Sequence, residues 1–89
     1  MLEIVYTSRF KKDAKRIQRR GKDVRKLYVL IDALAKDTPL PKNLRDHALR
    51  GNYVDHRECH IEPDWLLIYK INNDVLRLER TGTHADLFE

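Results

Sequence analysis

The sequence predicts an α+β domain in which two N-terminal helices pack on one face of a mainly antiparallel four-stranded sheet, in the order β-α-α-β-β-β. Three observations support this prediction. The chain opens on a short β-branched and aromatic run, two segments of helical periodicity follow, and three strand-like runs fill the last third. A length of 89 residues leaves room for one modest core, so a single domain over residues 1–89 is expected.

The N-terminal half is predicted to form a strand and two helices. Residues 2–6, LEIVY, are typical of a strand, and Thr7 or Ser8 caps the helix that follows. In this helix the apolar residues recur every three or four positions until Gly21, which offers a left-handed exit. A second helix is predicted from about residue 22 to residue 36, with an apolar stripe broad enough to lie against a sheet.

The C-terminal half is predicted to form an antiparallel meander. Residues 37–43, DTPLPKN, stop the second helix with two prolines and begin an irregular stretch to about residue 52. Strands follow at about 53–61, 65–71 and 75–81, joined by the turn-rich connections EPD and NND. Such short connections make consecutive strands antiparallel neighbours. The run WLLIYKI is almost wholly apolar, which is typical of a central strand.

Composition indicates a folded domain, since 42% of the residues are hydrophobic, although 36% are charged. The N-terminus has no basic region followed by an apolar run, and nowhere do 18 apolar residues occur together. We therefore expect no membrane association and a cytoplasmic location. Cys59 is the only cysteine, so no intramolecular disulfide can form. We interpret its thiol as a small packed side chain rather than a nucleophile.

Positive charge is concentrated in the first predicted helix. The formal net charge is +4, yet the segment from Arg9 to Lys22 alone carries +7. Its basic residues are Arg9, Lys11, Lys12, Lys15, Arg16, Arg19, Arg20 and Lys22, against Asp13. Such a field favours a polyanionic partner, either nucleic acid or an acidic protein, through counterion release and steering. The alternative is an ordinary solvated helix face.

Chain reversal brings polar residues to one end of the predicted meander. The first strand of a meander ends where the second begins, and the third ends at that same edge. The residues at this edge are His60, Asp64, Trp65, Arg80 and His84. His47, in the irregular stretch before the meander, could reach the same end. The far end has only the NND turn.

Histidine, aspartate and arginine beside a basic helix suggest phosphate chemistry. A phosphodiester of RNA can be cut without a metal or a cofactor if one group takes the proton of the ribose 2′-hydroxyl and another protonates the departing 5′-oxygen. A fixed cation must also hold the charge of the pentacoordinate phosphorus. Histidine titrates near neutral pH and suits either proton role, while arginine stays charged and grips two phosphate oxygens.

Three stretches carry a resemblance to a known family. RDHALRGNY at 45–53, HIEPDWLLIYK at 60–70 and LRLERTGTHADLF at 76–88 resemble the YafQ branch of the RelE/ParE superfamily of bacterial toxins. The resemblance implies a compact RelE-like fold and a ribosome-dependent messenger RNA endonuclease. The implied partners are the ribosome, messenger RNA and a small cognate antitoxin with an acidic segment, with no membrane and no DNA by itself. The family's active-site pattern falls on His47, His60, Asp64, Trp65, Arg80, His84 and Phe88.

The resemblance and the chemistry together suggest roles for these residues. We expect His84 to be the general acid and Arg80 to stabilise the phosphorane. Asp64, His60 and His47 remain alternatives for the general base, since Asp64 could instead orient a histidine.

The aromatic and basic residues are candidates for binding RNA. Trp65 either stacks on an RNA base or packs the edge of the hairpin, and Phe88 shapes the site or contacts the substrate. Lys11, Lys15 and Arg19 of the basic helix are expected to dock on ribosomal RNA.

Other interpretations remain open from the sequence. Taken singly, His60 could be a hydrogen-bonded strand-end residue, His84 a helix cap and Arg80 a surface ion pair. A ParE-like protein of the same fold would bind a topoisomerase without cutting RNA, and a purely structural RNA-binding protein is a further alternative. A metal site would draw on four residues of suitable ligand type. These are His47, His60, Asp64 and His84.

His56 is left out of the predicted site. Along an extended strand it lies roughly 13 Å from His60, too far to share a proton or a metal with it. We therefore expect His56 to be a hydrogen-bonded surface or core residue.

Overall fold

The computed structural model of the protein describes residues 1–36, 46–49 and 51–88, and it has the predicted α+β architecture. Two helices cover one face of a five-stranded sheet of order β1-β5-β4-β3-β2. The elements are β1 (Glu3–Tyr6), α1 (Ser8–Arg19), α2 (Val24–Ala35), β2 (His47–Ala48), a 3₁₀ turn (Gly51–Tyr53), β3 (Arg57–Glu62), β4 (Trp65–Asn72), β5 (Val75–Gly82) and α3 (His84–Phe88). Across the described ranges, no helix has the length and apolarity needed to cross a bilayer.

Side-chain caps begin both long helices. The hydroxyl of Thr7 accepts a hydrogen bond from the backbone N–H of Phe10, and the carboxylate of Asp23 accepts one from the backbone N–H of Arg25. Gly21, at φ +84°, supplies the left-handed residue with which the chain leaves α1. The predicted ends of both helices are therefore confirmed to within about two residues.

The predicted meander is confirmed. β3, β4 and β5 pair antiparallel in chain order, and β1 adds to the other edge of β5 in parallel. The turn between β4 and β5 has Asn73 and Asp74 at φ +51° and +65°, the two positive values that a type I′ hairpin turn requires. β4 lies at the centre of the sheet, as its apolar sequence predicts.

The strand count and the start of one strand differ from the prediction. A fifth strand, β2, pairs His47 with Glu58, and β3 begins at Arg57 rather than at 53. The reason is a local loop: residues 51–53 form a 3₁₀ turn, and the N–H of Leu49 donates to the carbonyl of His56. The predicted breaker segment 37–43 lies outside the described residues.

The two sides of the sheet carry different cores. On the helix face, large side chains such as Trp65 and Leu78 pack against α1 and α2. On the opposite face, which we call the site face, Leu66 and Ile68 of β4 pack against Leu87 of α3. Helix α3, which the sequence did not predict, therefore covers part of the site face.

A β-bulge in β5 determines which side chains reach the site face. Leu78 and Arg80 pair with consecutive residues of β4, so Glu79 is the extra residue. Unbroken alternation would have put Arg80 on the helix face beside Leu78. The bulge shifts the alternation by one position, and Arg80 lies in a cross-strand row with Ile68 and Glu58 on the site face.

Candidate active site

A histidine and an aspartate meet where α3 begins. The Nδ1 atom of His84 lies 2.6 Å from the Oδ1 atom of Asp64, and the backbone N–H of His84 donates to the same oxygen at 2.9 Å. These hydrogen bonds, the backbone one first, hold the pKa of Asp64 below its ordinary value. Asp64 is thus an anion that orients the imidazole of His84, while the pair as a whole is open to solvent.

A second histidine–carboxylate pair lies beside the first. The Nε2 atom of His60 lies 2.8 Å from the Oε1 atom of Glu58, whose side chain is only 6% exposed. The other oxygen of Glu58 lies 3.9 Å from the Nε2 atom of His47. The ring of His60 is 6.1 Å from that of His47 and 5.9 Å from that of His84, centroid to centroid. Three of the predicted histidines therefore surround one buried carboxylate.

Arg80 is held by a carboxylate from α1. Its Nε and Nη2 atoms donate to the two oxygens of Asp13 at 2.6 and 3.1 Å. The hydrogen bond to Asp13, with a smaller contribution from Tyr53, raises the pKa of the Arg80 guanidinium above its ordinary value. Arg80 is therefore a fixed and permanently charged cation on the site face.

Aromatic rings continue the row of histidines along the site face. The ring of Phe88 lies 6.2 Å from that of His84, and Tyr53 meets Phe88 edge-on at 5.9 Å. His56 in turn lies 6.0 Å from Tyr53. Phe88 is 46% exposed, so part of its side chain is open to solvent next to the His84–Asp64 pair.

Trp65 does not lie on this surface, although it was one of the predicted substrate-binding residues. It is 1% exposed on the helix face, and its indole N–H donates to the hydroxyl of Thr81 at 3.0 Å. The prediction that Trp65 stacks on an RNA base is therefore wrong, and the alternative that it packs the end of the hairpin is confirmed. The physical reason is alternation: Trp65 precedes Leu66, and Leu66 already points to the site face.

Helix α3 is fastened to the sheet by a capping box. The hydroxyl of Thr83 accepts from the N–H of Asp86, and the carboxylate of Asp86 accepts from the N–H of Thr83. Arg20, the C-terminal cap residue of α1, then pairs with Asp86 at 2.7 and 3.1 Å. A Cβ atom at Gly82 would lie 2.8 Å from Asp86, so only glycine allows this close fold-back. The cap positions His84 at the first residue of the helix.

The three lysine and arginine residues expected to dock on RNA recur every four positions and so lie along one stripe of α1. Lys11 and Lys15 line a groove between α1 and α2, together with Tyr6 and Tyr28. Arg19 is exposed and lies one helical turn after Lys15, so it continues the same stripe towards the C-terminal end of α1.

Family comparison agrees with this geometry. The family model for YafQ, described as a bacterial toxin of a type II toxin-antitoxin system, matches residues 2–89. The chain belongs to the YafQ toxin family. It is 48% identical over 87 residues to the mRNA interferase toxin YafQ of Escherichia coli K12, which covers 97% of this chain and 95% of that protein.

Solved structures of family members superpose closely on the chain. YafQ in the crystal structure of the E. coli DinJ–YafQ complex has a TM-score of 0.92 at 46% identity, covering all of both chains. A metal-bound toxin from Helicobacter pylori also has a TM-score of 0.92, at 41% identity, covering 99% of this chain and all of that one. The compact fold implied by the sequence resemblance is thereby confirmed.

One cluster in the described part of this YafQ-family chain has metal-ligand character. Donor atoms of Glu58, His60 and His84 all lie within 4.8 Å of one another. This set differs from the predicted metal alternative, because Asp64 is turned away by its bonds to His84 and Glu58 takes its place. Two imidazoles and a carboxylate are suitable ligands for zinc or copper.

Three residues that hold the site together were not among the predicted site residues. Glu58 could have been found, since it lies two residues before His60 on a strand and so on the same face. Tyr53 and Asp13 offered no comparable local signal, because their contacts come from a loop and from a helix distant in sequence. The Thr83-x-x-Asp86 spacing was a readable capping box for α3.

Cys59 and His56 behave as predicted. Cys59 is fully buried, and burial raises the pKa of its thiol to about 12, so it is a packed side chain. His56 is hydrogen-bonded, with Nδ1 at 3.2 Å from the carbonyl of Val54 and Nε2 at 3.4 Å from Glu79.

Proposed function

We propose that this YafQ-family toxin cuts messenger RNA on the ribosome, by attack of a ribose 2′-hydroxyl on the neighbouring phosphate, and uses neither a metal nor a cofactor. The observation that carries the proposal is the pairing of two histidines, 5.9 Å apart, each with its own carboxylate, on the face that also bears Arg80. Two adjacent proton-transfer groups and one fixed cation meet the needs of phosphodiester cleavage.

His84 is proposed as the general acid. Its Nδ1 atom is engaged by Asp64, so a protonated imidazole keeps the Nε2 proton for the departing 5′-oxygen. The carboxylate of Asp64 also fixes the ring orientation, which a general acid needs in order to meet the leaving oxygen. Solvent exposure of the His84 side chain, 53%, leaves room for the RNA backbone to approach.

His60 is proposed as the general base among the three candidates. Asp64 already accepts two hydrogen bonds from His84, which makes its oxygen a poor proton acceptor. Glu58 accepts from Nε2 of His60, and the neutral ring then keeps a lone pair on Nδ1 for the 2′-hydroxyl proton. His47 shares Glu58 at the longer distance of 3.9 Å and is assigned a supporting role at the substrate.

Arg80 and Phe88 are proposed to hold the substrate. The guanidinium of Arg80 stabilises the negative charge that grows on the phosphorane oxygens. Phe88 offers its exposed ring to an RNA base next to the cut, a contact that contributes about 1 to 3 kcal/mol in single-stranded RNA binding. Its position beside His84 supports this role.

The basic stripe of α1 formed by Lys11, Lys15 and Arg19 is proposed to dock on ribosomal RNA. An Arg19→Glu variant should bind ribosomes more weakly and lose part of the salt dependence of binding. Lys36→Glu, at the C-terminal cap of α2 and outside this stripe, is the matched control of equal charge change, and it should cost less. Equal losses for both variants would mean that the net charge of the protein, rather than this stripe, determines ribosome binding.

The proposed partners follow from the family and the charge. Toxins of this family occur in complexes such as DinJ–YafQ, so we propose a cognate antitoxin whose acidic segment binds the positive chain. Ribosomes and messenger RNA are the proposed targets, and the cytoplasm is the corresponding location. Binding to DNA is assigned to the antitoxin complex rather than to this chain alone.

The test is cleavage mapping in a defined translation reaction. Purified protein should create new 5′ ends on messenger RNA only when ribosomes are present, and these ends should carry a 5′-hydroxyl because the 2′-oxygen is the nucleophile. His84→Ala should reduce the cuts by at least about 100-fold, whereas His56→Ala, which changes a histidine bonded to Glu79 outside the proposed pairs, should leave them. Intact messenger RNA together with inhibited DNA supercoiling would instead favour the topoisomerase alternative.

A further inference from the structure

Asp13 is a buried carboxylate that belongs to neither of the two histidine–carboxylate pairs of the site. It lies in the middle of α1, its side chain is 2% exposed, and it accepts three hydrogen bonds from β5. Two come from Nε and Nη2 of Arg80, and the third from the backbone N–H of Thr81 at 3.2 Å. A buried anion is costly unless it is paired and hydrogen-bonded in this way.

The edge of β5 explains why a helix residue reaches this position. β1 pairs with β5 only as far as Leu78, so beyond that point this edge of β5 has no partner strand among the described residues, while its other edge stays paired with β4. Helix α1 covers the open edge instead. Its cap residue Thr7 donates its hydroxyl proton to the carbonyl of Glu79 at 2.9 Å, and Asp13 accepts from Thr81. The carboxylate therefore occupies the place where a strand carbonyl would be.

We propose that Asp13 is a positioning residue for the cleavage reaction, which holds the Arg80 guanidinium by one side and directs its remaining N–H groups to the scissile phosphate. This inference rests on the proposed function. A guanidinium has five N–H donors in a rigid plane, and Asp13 occupies two of them on the Nε–Nη2 side. The other three, on Nη1 and Nη2, are directed away from Asp13. Tyr53 lies beside them, and the Arg80 side chain keeps 12% exposure through which a phosphate can approach.

Fixation matters because an arginine side chain has many rotamers of similar energy. Arg80 follows Glu79, whose carboxylate is engaged by Arg77 at 2.9 Å and by His56 at 3.4 Å. Among the described residues, Asp13 is the carboxylate that forms an ion pair with Arg80. Without it the guanidinium would be free to leave the phosphate position, and a displacement of about 1 Å can cost about 100-fold in rate.

The experiment compares Asp13→Asn, Arg80→Ala and the double variant in single-turnover cleavage of ribosome-bound messenger RNA. Asp13→Asn should lower the saturating rate by about 100-fold. It should leave the half-saturating ribosome concentration unchanged. The double variant should be no slower than Arg80→Ala, because Asp13 acts only through Arg80. Asp32→Asn, which breaks the exposed pair with Lys36 on α2, is the matched control and should cut at the wild-type rate.

The melting temperature of each variant separates positioning from folding. If folded Asp13→Asn cuts at the wild-type rate, or if its loss multiplies with that of Arg80→Ala, Asp13 is only a structural residue. Failure of the wild type itself to cut would instead reject the proposed function.

A measurement on the wild-type protein that does not depend on catalytic activity tests the inference even if the variants unfold. In ¹⁵N-labelled wild-type protein, the Nε–H of Arg80 should exchange with solvent far more slowly than that of the exposed Arg25, which also pairs with an aspartate. Equal exchange rates for the two arginines would mean that Asp13 does not fix the guanidinium, and the inference would fall.

Discussion

Replacing Trp65 with phenylalanine should destabilise the protein rather than weaken RNA binding. The indole is 1% exposed and donates to Thr81, whose hydroxyl in turn donates to the carbonyl of Leu66 at 2.7 Å. Loss of this hydrogen bond costs about 1 kcal/mol. The smaller ring also removes roughly two CH₂-sized groups from the core at about 0.8 kcal/mol each, which brings the expected loss to about 2 to 3 kcal/mol.

Thermal and urea unfolding measure this loss. For a domain of this size the melting temperature should fall by roughly 10 to 20 °C. Cleavage by the folded fraction at a low temperature should stay near the wild-type rate. Phe88→Leu is the matched aromatic control: it should unfold almost like the wild type and yet bind substrate less tightly. A Trp65→Phe protein of unchanged stability that needs more ribosomes for half-maximal cutting would refute the packing interpretation and restore base stacking.

Three further outcomes are expected. His84→Ala should slow cleavage by about 10² to 10⁴, with ribosome co-sedimentation unchanged, and a rate near that of the wild type would remove His84 as the acid. The hydrogen bonds from Arg20 hold the pKa of Asp86 below its ordinary value, so its stabilisation of α3 is complete above about pH 4 and is lost as the pH falls through the folded-state pKa. Urea titrations should therefore show less acid destabilisation in Asp86→Asn than in the wild type, and equal pH slopes would contradict this. Zinc chloride should inhibit cleavage by occupying Glu58, His60 and His84, and a chelator should restore it; calorimetry that finds the same zinc affinity in Glu58→Gln would place the ion elsewhere.

Local sequence patterns were sufficient for the order of the elements and for half of the site. Periodicity gave both long helices and the meander, because each depends on contacts within a few residues. Chain reversal in that meander already brought His60, Asp64 and His84 to one sheet edge, and the structure has them there. The spacing of Thr83 and Asp86 contained the signal for α3 as well.

The face of the sheet on which each side chain lies depended on tertiary structure. Strict alternation along β5 would have put Arg80 into the core with Leu78, and only the bulge at Glu79 turns it to the site face. Such a bulge depends on how β5 pairs with β4 and on the point where β1 stops beside it. The pattern of one strand does not contain that information.

Long-range ion pairs show the same limit. Asp13 is 67 residues from Arg80 in sequence. From the sequence alone it is one acidic side chain on a basic helix, with no sign of its partner. It contacts Arg80 only because α1 replaces the missing strand at the open edge of β5. Residue types and local periodicity specified the chemical groups available to the protein. Strand register and helix docking specified the faces of the sheet on which those groups meet. Register and docking could not be predicted from local sequence, because they depend on contacts between segments far apart in the chain.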